Sequence, residues 1–271
     1  MSSSLLKINF REKARSSLTK ANNELASQDA SRLKYVALEL RMAIEAITYD
    51  RAQAYKDEIP PDEYKTWQPR KLMQLLLDID PDTDKNSGIG IGLEKTPGVP
   101  AEETTYLGTE NVFNFKSIKD HYDALGSFLH MPTLKQFDEN KAHDSSKLRA
   151  RCEKIIEALE AALSSPVFNI TIGSFSEIPC MRCDAKVRRR LALSGDDAVA
   201  KCFKCGAEYK ITGTHSSKPG MWEALYEEID CPTIDCDSKI RIWKDKVKEG
   251  SQLTCEHCEE SFYIGYGVFK K

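Results

Sequence analysis

Eight of the nine cysteines in this chain follow residue 179, and their spacing is that of metal ligands. Cys180 and Cys183 are followed after eighteen residues by Cys202 and Cys205, and Cys231 and Cys236 after eighteen residues by Cys255 and Cys258. Closely spaced thiolates on a tight turn form a knuckle, and two facing knuckles supply the four sulfurs of a tetrahedral zinc site. Four cysteines leave no open coordination position, so the chemistry expected is structural, with two zinc ions per chain holding the fold. Adding 53 to Cys183, Cys202 and Cys205 gives Cys236, Cys255 and Cys258, whereas adding 51 to Cys180 gives Cys231. The segment is therefore an internal repeat whose second copy has a longer opening knuckle.

The elements that must carry these knuckles read as short strands. VRRRLAL and AEYKI flank the ligands of the first set, with Ser194, Gly195, Asp196 and Asp197 as the turn, and SKIRIWK and SFYIGY take the same places in the second. The pattern is that of two zinc ribbons, over residues 175–213 and 226–271, each too small to fold unaided, so that metal binding and folding are one event. His257, inside the last knuckle, and His215, in the polar linker TGTHSSKPG, are read as bystanders because the thiolates already suffice.

The first ribbon carries eight cations against four anions and keeps a positive balance after zinc and thiolates are included. Arg188, Arg189, Arg190 and Lys204 are its candidate nucleic-acid contacts, for RNA or DNA. Strand alternation is expected to turn Arg188 and Arg190 outward and Arg189 inward. Phe203 and Tyr209 could add stacking surfaces. The second ribbon balances seven cations with seven anions, which suits packing or protein contact, with Trp243 and Tyr263 as core aromatics.

Before residue 170 the chain is helical in pattern. Leu33, Val36, Ala37, Leu40, Ala43, Ile44 and Ile47 form an apolar stripe along residues 29–56, with Asp29 or Ser31 as N-cap. Helices are also expected over 11–27, 69–79, 116–129 and 146–163, with Pro60-Pro61 and Pro132 as stops and an irregular loop, holding at most one hairpin, over about 80–111. Cys152 falls on the apolar stripe of the last helix and reads as a small hydrophobe. The fold class is α+β in two parts: a bundle of four or five helices over 1–170, then the pair of small β ribbons.

The long helix LKYVALELRMAIEAI, the irregular segment after it and a helix closing in YDALGSFLH together resemble the HEPN superfamily, the higher-eukaryote and prokaryote nucleotide-binding helical domains. That resemblance covers roughly residues 10–165 and implies a helical domain that pairs with a second copy or a partner protein, in prokaryotic defence or toxin–antitoxin systems. Many such domains are metal-independent RNases with an arginine, four to six residues, then a histidine. Here the positions before His121, His130 and His143 hold no arginine, and Lys116 before His121 is the nearest substitute. Lysine lacks the planar fork that grips a phosphate, so the departure argues against nuclease activity. His121 and His130, nine residues apart, would face opposite sides of one helix. Arg41, four residues before Glu45, either pairs with it at the bundle edge or crosses to the His121 helix and supplies a cation there.

With 271 residues, 41% hydrophobic, 30% charged and a net charge of −3, the chain has room for about two domains and no global basic field. No apolar run approaches a membrane span, and the opening MSSSLLKINFREKAR has too short an apolar core for a secretory signal, so a reducing, cytoplasmic setting is expected. The function expected is that of a zinc-binding, nucleic-acid-directed or regulatory protein. The alternatives are an RNase built on Lys116, His121, His130 and Arg41, or a protein-interaction scaffold whose zinc is purely structural.

Overall fold

Asn9 caps the first helix, α1 (Phe10–Ala26), by accepting the Glu12 amide, and Asp29 accepts the Ser31 amide to start a single 3-10 turn ahead of α2 (Leu33–Gln53). The computed structural model describes residues 8–56, 58–59, 65, 67–96, 99, 101–131, 133–134, 144–171, 175–191, 197–212 and 220–265. Helices α3 (Pro69–Ile79), α4 (Phe115–Ser127) and α5 (Ser145–Leu163) complete the helical set among these residues. The chain divides into two compact units, Met1–Leu77 with Asp82–Ile172, and Asp78–Pro81 with Gly173–Lys271.

In the first unit α2 is the central element, packed by α1, α4 and α5. Its Val36, Ala37, Leu40, Ala43 and Ile44 are fully buried, as the apolar stripe requires. They share the core with Leu76 of α3, Ile118 and Leu125 of α4, and Ile155 and Leu159 of α5. Cys152 is fully buried, and burial pushes its thiol up to about 11, which makes it inert packing rather than a reactive group.

The irregular stretch contains one two-stranded hairpin among the described residues, β1 (Ser87–Ile91) with β2 (Thr105–Glu110), and a bulge at Ile89/Gly90. Buried charges tie it down. Arg51 of α2 pairs with Glu110 at 2.6 Å and donates to the Thr83 carbonyl at 3.0 Å. Its neighbour Asp50 pairs with Arg11 at 3.3 Å, and Arg11 also donates to the Ala162 carbonyl at 2.7 Å. Asn169 links the two pairs: its backbone amide donates to the Glu110 carboxylate, and its side-chain amide donates to Asp50 at 3.0 Å. Hairpin, α1, α2 and the segment after α5 therefore meet in one hydrogen-bonded charge cluster.

The second unit is made of antiparallel pairs: β3 (Phe175–Pro179) with β4 (Lys186–Arg190), β5 (Ala198–Lys201) with β6 (Glu208–Thr212), β8 (Tyr226–Asp230) with β9 (Lys239–Trp243), and β10 (Gln252–Thr254) with β11 (Ser261–Tyr263). A further strand, β7 (Met221–Ala224), joins β6. The duplication seen in the cysteines extends to the backbone. Adding 51 to β3 gives β8 residue for residue, and adding 53 to β4 gives β9. The first copy has the larger core, built on Val187, Leu191, Ala198, Ala200, Ala207, Tyr209 and Ile211 around Cys180 and Cys202. Trp243 of the second copy packs on Tyr209 of the first at 5.6 Å and on Tyr226 at 4.6 Å, so the two ribbons share an aromatic cluster.

Candidate metal centres and basic surfaces

Three of the four knuckles share one backbone pattern. The residue after the second cysteine takes a left-handed conformation: Asp184 (φ 57°), Gly206 (φ 80°) and Glu259 (φ 61°). Its amide donates to the first cysteine's carbonyl, at 2.9 Å from Asp184 to Cys180, 2.8 Å from Gly206 to Cys202 and 2.9 Å from Glu259 to Cys255. The first cysteine's amide in turn donates to the residue beyond, at 2.8 Å to Ala185, 2.8 Å to Ala207 and 3.0 Å to Glu260. The longer knuckle keeps the last of these bonds, from Cys231 to Ser238 at 3.0 Å, and places its left-handed residue, Asp235 (φ 67°), ahead of Cys236. Two additional residues are thus accommodated inside a loop closed by the equivalent hydrogen bond.

This geometry gathers the sulfurs of each set within 4.8 Å of one another. Cys180 and Cys205 lie 3.6 Å apart, Cys183 and Cys202 3.7 Å, Cys231 and Cys258 3.7 Å, and Cys236 and Cys255 3.9 Å. A tetrahedron with zinc–sulfur bonds of about 2.3 Å has edges of about 3.8 Å, so both sets fit four-coordinate zinc. The same distances are far beyond a sulfur–sulfur bond. Each group could hold a metal ion. Four thiols this close cannot all ionise without a cation between them: burial pushes Cys202 up to about 12, whereas the Ser238 hydroxyl helps hold Cys255 down to about 6.

Hydroxyl groups surround the sulfurs. Tyr209 lies with its oxygen 3.1 Å from Cys180 Sγ and accepts the Met181 amide at 3.0 Å. Ser238 lies 3.2 Å from Cys236 Sγ and 3.0 Å from Cys255 Sγ, and Cys258 Sγ donates to Thr233 Oγ1 at 3.6 Å. Hydroxyls at such distances orient cysteine side chains and, where they donate, temper a thiolate's charge. Between the first two ligands, Arg182 forks onto Asp245 at 2.9 and 3.0 Å, donates to the Cys205 carbonyl and stacks over Trp243 at 5.2 Å. His257 is exposed with its Nδ1 3.9 Å from Cys236 Sγ, and His215 and the turn at 194–196 lie outside the described residues.

The expected alternation of the arginine run does not hold. Arg189 and Arg190 are both buried, and Arg190 pairs with Asp80 at 2.9 Å inside the same unit. Arg188 is half-buried, stacked over Phe175 at 4.0 Å with Glu177 at 3.7 Å. Of the four basic candidates, Lys204 is exposed, Arg188 is partly accessible, and Arg189 and Arg190 present no outward charge. An aromatic ring and a distant aspartate, rather than the pleat alone, decide where Arg188 and Arg190 go. Tyr209 is fully buried beneath a knuckle and so offers no stacking face, while Tyr263 is 78% exposed and is not a core aromatic.

On the helical unit Arg41 does cross to α4, but to its Tyr122 side. It donates to the Tyr122 carbonyl at 2.8 Å and stacks over that ring at 3.8 Å, while the Tyr122 hydroxyl donates to Glu45. Burial and Glu45 together push the Tyr122 hydroxyl up to about 12. A side chain at Gly126 would run into the Arg41 guanidinium, so the glycine makes room for it. His121, next in sequence to Tyr122, lines a different surface with Asp120, Phe128, Lys147, Ala150, Arg151 and Lys154. Lys116 is exposed about 140° around α4 from His121, and His130 is exposed beyond the helix end. The constellation of Lys116, His121, His130 and Arg41 is therefore not assembled. The basic residues that do meet His121 come from α5, and their steps of three and four were visible in the sequence.

No helix among the described residues is long and apolar enough to cross a membrane. Set against models of protein families, curated proteins and solved structures, the chain matches none of them.

Proposed function

We propose that this chain is a zinc-stapled regulatory protein directed at nucleic acid, with a HEPN-like helical domain over residues 1–170 and zinc ribbons over 175–213 and 226–271. The spacing of the sulfurs, 3.6–3.9 Å along the measured edges of both sets, carries the metal part of the reading. In this reading the zinc ions are structural, the thiols stay reduced in the cytoplasm, and the helical domain pairs with a second copy or a partner, as in prokaryotic defence or toxin–antitoxin systems.

The first ribbon makes the phosphate contacts, through Lys204 and Arg188, while Arg189 and Arg190 support the strand from within. Scattered catalytic candidates and the missing arginine both favour a binding role over RNA cleavage.

Elemental analysis of protein purified without added metal should return two zinc ions per chain, one for each four-sulfur group. Each single-strand phosphate contact contributes about 0.7 to the slope of log affinity against log salt, so Arg188→Gln with Lys204→Gln should flatten the slope by about 1.4. An unchanged slope and affinity, with both zinc ions retained, would leave the ribbons as a protein-contact scaffold.

A further inference from the structure

We infer that the groove between α4 and α5 on the helical unit is a binding site for a phosphate group carried by a nucleotide or an RNA strand. Helix α5 presents Lys147, Ala150, Arg151 and Lys154 at steps of three and four, so its three cations share one face of the groove. Asp120, His121 and Phe128 form the opposite wall. The Arg151 guanidinium donates to the Asp120 carbonyl at 2.8 Å, which fixes it at the rim with its remaining donors to spare. Lys147 lies 3.4 Å from Asp144, and Asp120 is the single acid on the lining among the described residues. The groove is therefore cationic overall.

His121 supplies the second, independent observation. Its Nδ1 is sealed from water and has no hydrogen-bond partner among the described residues. An orphaned N–H buried there would cost more than a bare lone pair, so the neutral ring carries its proton on Nε2. Burial, then the Arg151 charge, with Lys154 adding to it and Asp120 opposing, holds the ring below its ordinary value of 6.5. At neutral pH His121 is thus an uncharged donor set among cations.

A ligand that uses all of these groups must be an anion with several acceptor oxygens pointing in different directions. A phosphate meets that description: two oxygens suit the guanidinium fork, and others reach the Lys154 ammonium and the imidazole N–H. A carboxylate has only two oxygens, both in one plane, and so offers fewer acceptor directions than the groove has donors. The inference uses no residue of the ribbons and stands or falls apart from the reading of Arg188 and Lys204.

The test follows the His121 ring protons by NMR in the full-length, zinc-loaded protein. Inorganic phosphate, adenosine 5′-monophosphate and a single-stranded RNA of about ten nucleotides without terminal phosphate are titrated separately. Phosphate should move the His121 signals saturably and raise the ring's apparent pKa by about one pH unit, because an anion now faces it. Arg151→Gln with Lys154→Gln should weaken binding by about tenfold or more. Lys154→Gln alone, at an exposed position, keeps the test available should the double variant lose its helical signal. Equal response to phosphate and the mononucleotide marks a free phosphate as the ligand, and saturation at far lower RNA concentration marks a strand. Arg188→Gln with Lys204→Gln should leave the response to inorganic phosphate intact. Absence of a saturable His121 response to all three probes, or equal affinity in the α5 variants, overturns the site.

Discussion

Leu40, Ile44, Leu76, Ile118 and Leu159 are sealed from solvent in the helical unit, whereas the hydrophobic residues buried in the second ribbon are Ile240, Ile242 and Cys255 among the described residues. Fully burying one large aliphatic side chain contributes about 1.5–3 kcal/mol, so the helical unit has ample driving force of its own and the second ribbon has little. Four cysteines there stand where a core would otherwise be needed. The two regions thus differ in what can hold them: apolar burial and internal ion pairs in one, a four-cysteine group that could hold a metal ion in the other.

Chelation should separate them most sharply. Structural zinc sites are associated with apparent binding energies of about 10–16 kcal/mol, nearly all of it folding energy. Removing the metal should abolish the near-ultraviolet signal of Trp222 and Trp243, which pack on Tyr209, while far-ultraviolet helicity persists. Joint loss of both signals would mean that the two units fold as one.

Arg51→Met attacks the other unit. It leaves the Glu110 carboxylate buried at 5% side-chain exposure without its partner, and breaking such a pair costs about 3–5 kcal/mol. Denaturant unfolding followed by helical ellipticity should shift by that amount, with zinc content unchanged. Arg51→Met with Glu110→Gln should recover part of the loss, since the charge is then gone.

A smaller effect is expected from Tyr209→Phe, which removes the hydroxyl beside Cys180 and the acceptor of the Met181 amide. The cost is about 1–2 kcal/mol, felt as faster loss of one zinc ion of the two to a competing chelator. Equal loss from both sites would show that the shared aromatic cluster transmits the change.

Acid should act on the two units at different points. Metal binding requires deprotonated sulfurs, so zinc is released as the pH falls. Asp144, the N-cap of α5, accepts from the Ser146 hydroxyl and the Lys147 amide, and these hold its carboxyl down to about 2 from its ordinary 3.8. Its folded value lies below its unfolded one, so the cap contributes fully above about pH 4 and is lost as pH falls through 2. Tryptophan fluorescence should therefore change at higher pH than amide exchange at Lys147.

The sequence disclosed what depends on spacing alone. Ligand chemistry tolerates few separations, so both cysteine sets were legible, and a period of 3.6 residues marked the apolar faces of α2, α4 and α5. Contacts between residues far apart in the chain were not legible. Arg190 points inward because Asp80, more than a hundred positions earlier, waits for it, and no local pattern announces that pair. Arg41 meets Tyr122 rather than His121 because neighbours on a helix differ by about 100° in direction, which sequence adjacency conceals. No local pattern sets Tyr209 apart from other strand aromatics, although its hydroxyl lies against the Cys180 sulfur.

The loop between Cys231 and Cys236 is closed by the same hydrogen bond that closes its shorter counterpart between Cys180 and Cys183. Two more residues therefore fit between the cysteines while that bond is kept, and the loop tip, Ile234, stands 88% exposed. A protein engineer would recognise a port: a peptide tag or reporter grafted at the exposed Ile234 lies within a few residues of a candidate metal ligand, yet leaves in place Thr233, whose oxygens meet Cys258 Sγ and the Cys236 amide. The second copy already carries two more residues there than the first, and its sulfurs still lie within 4.8 Å of one another.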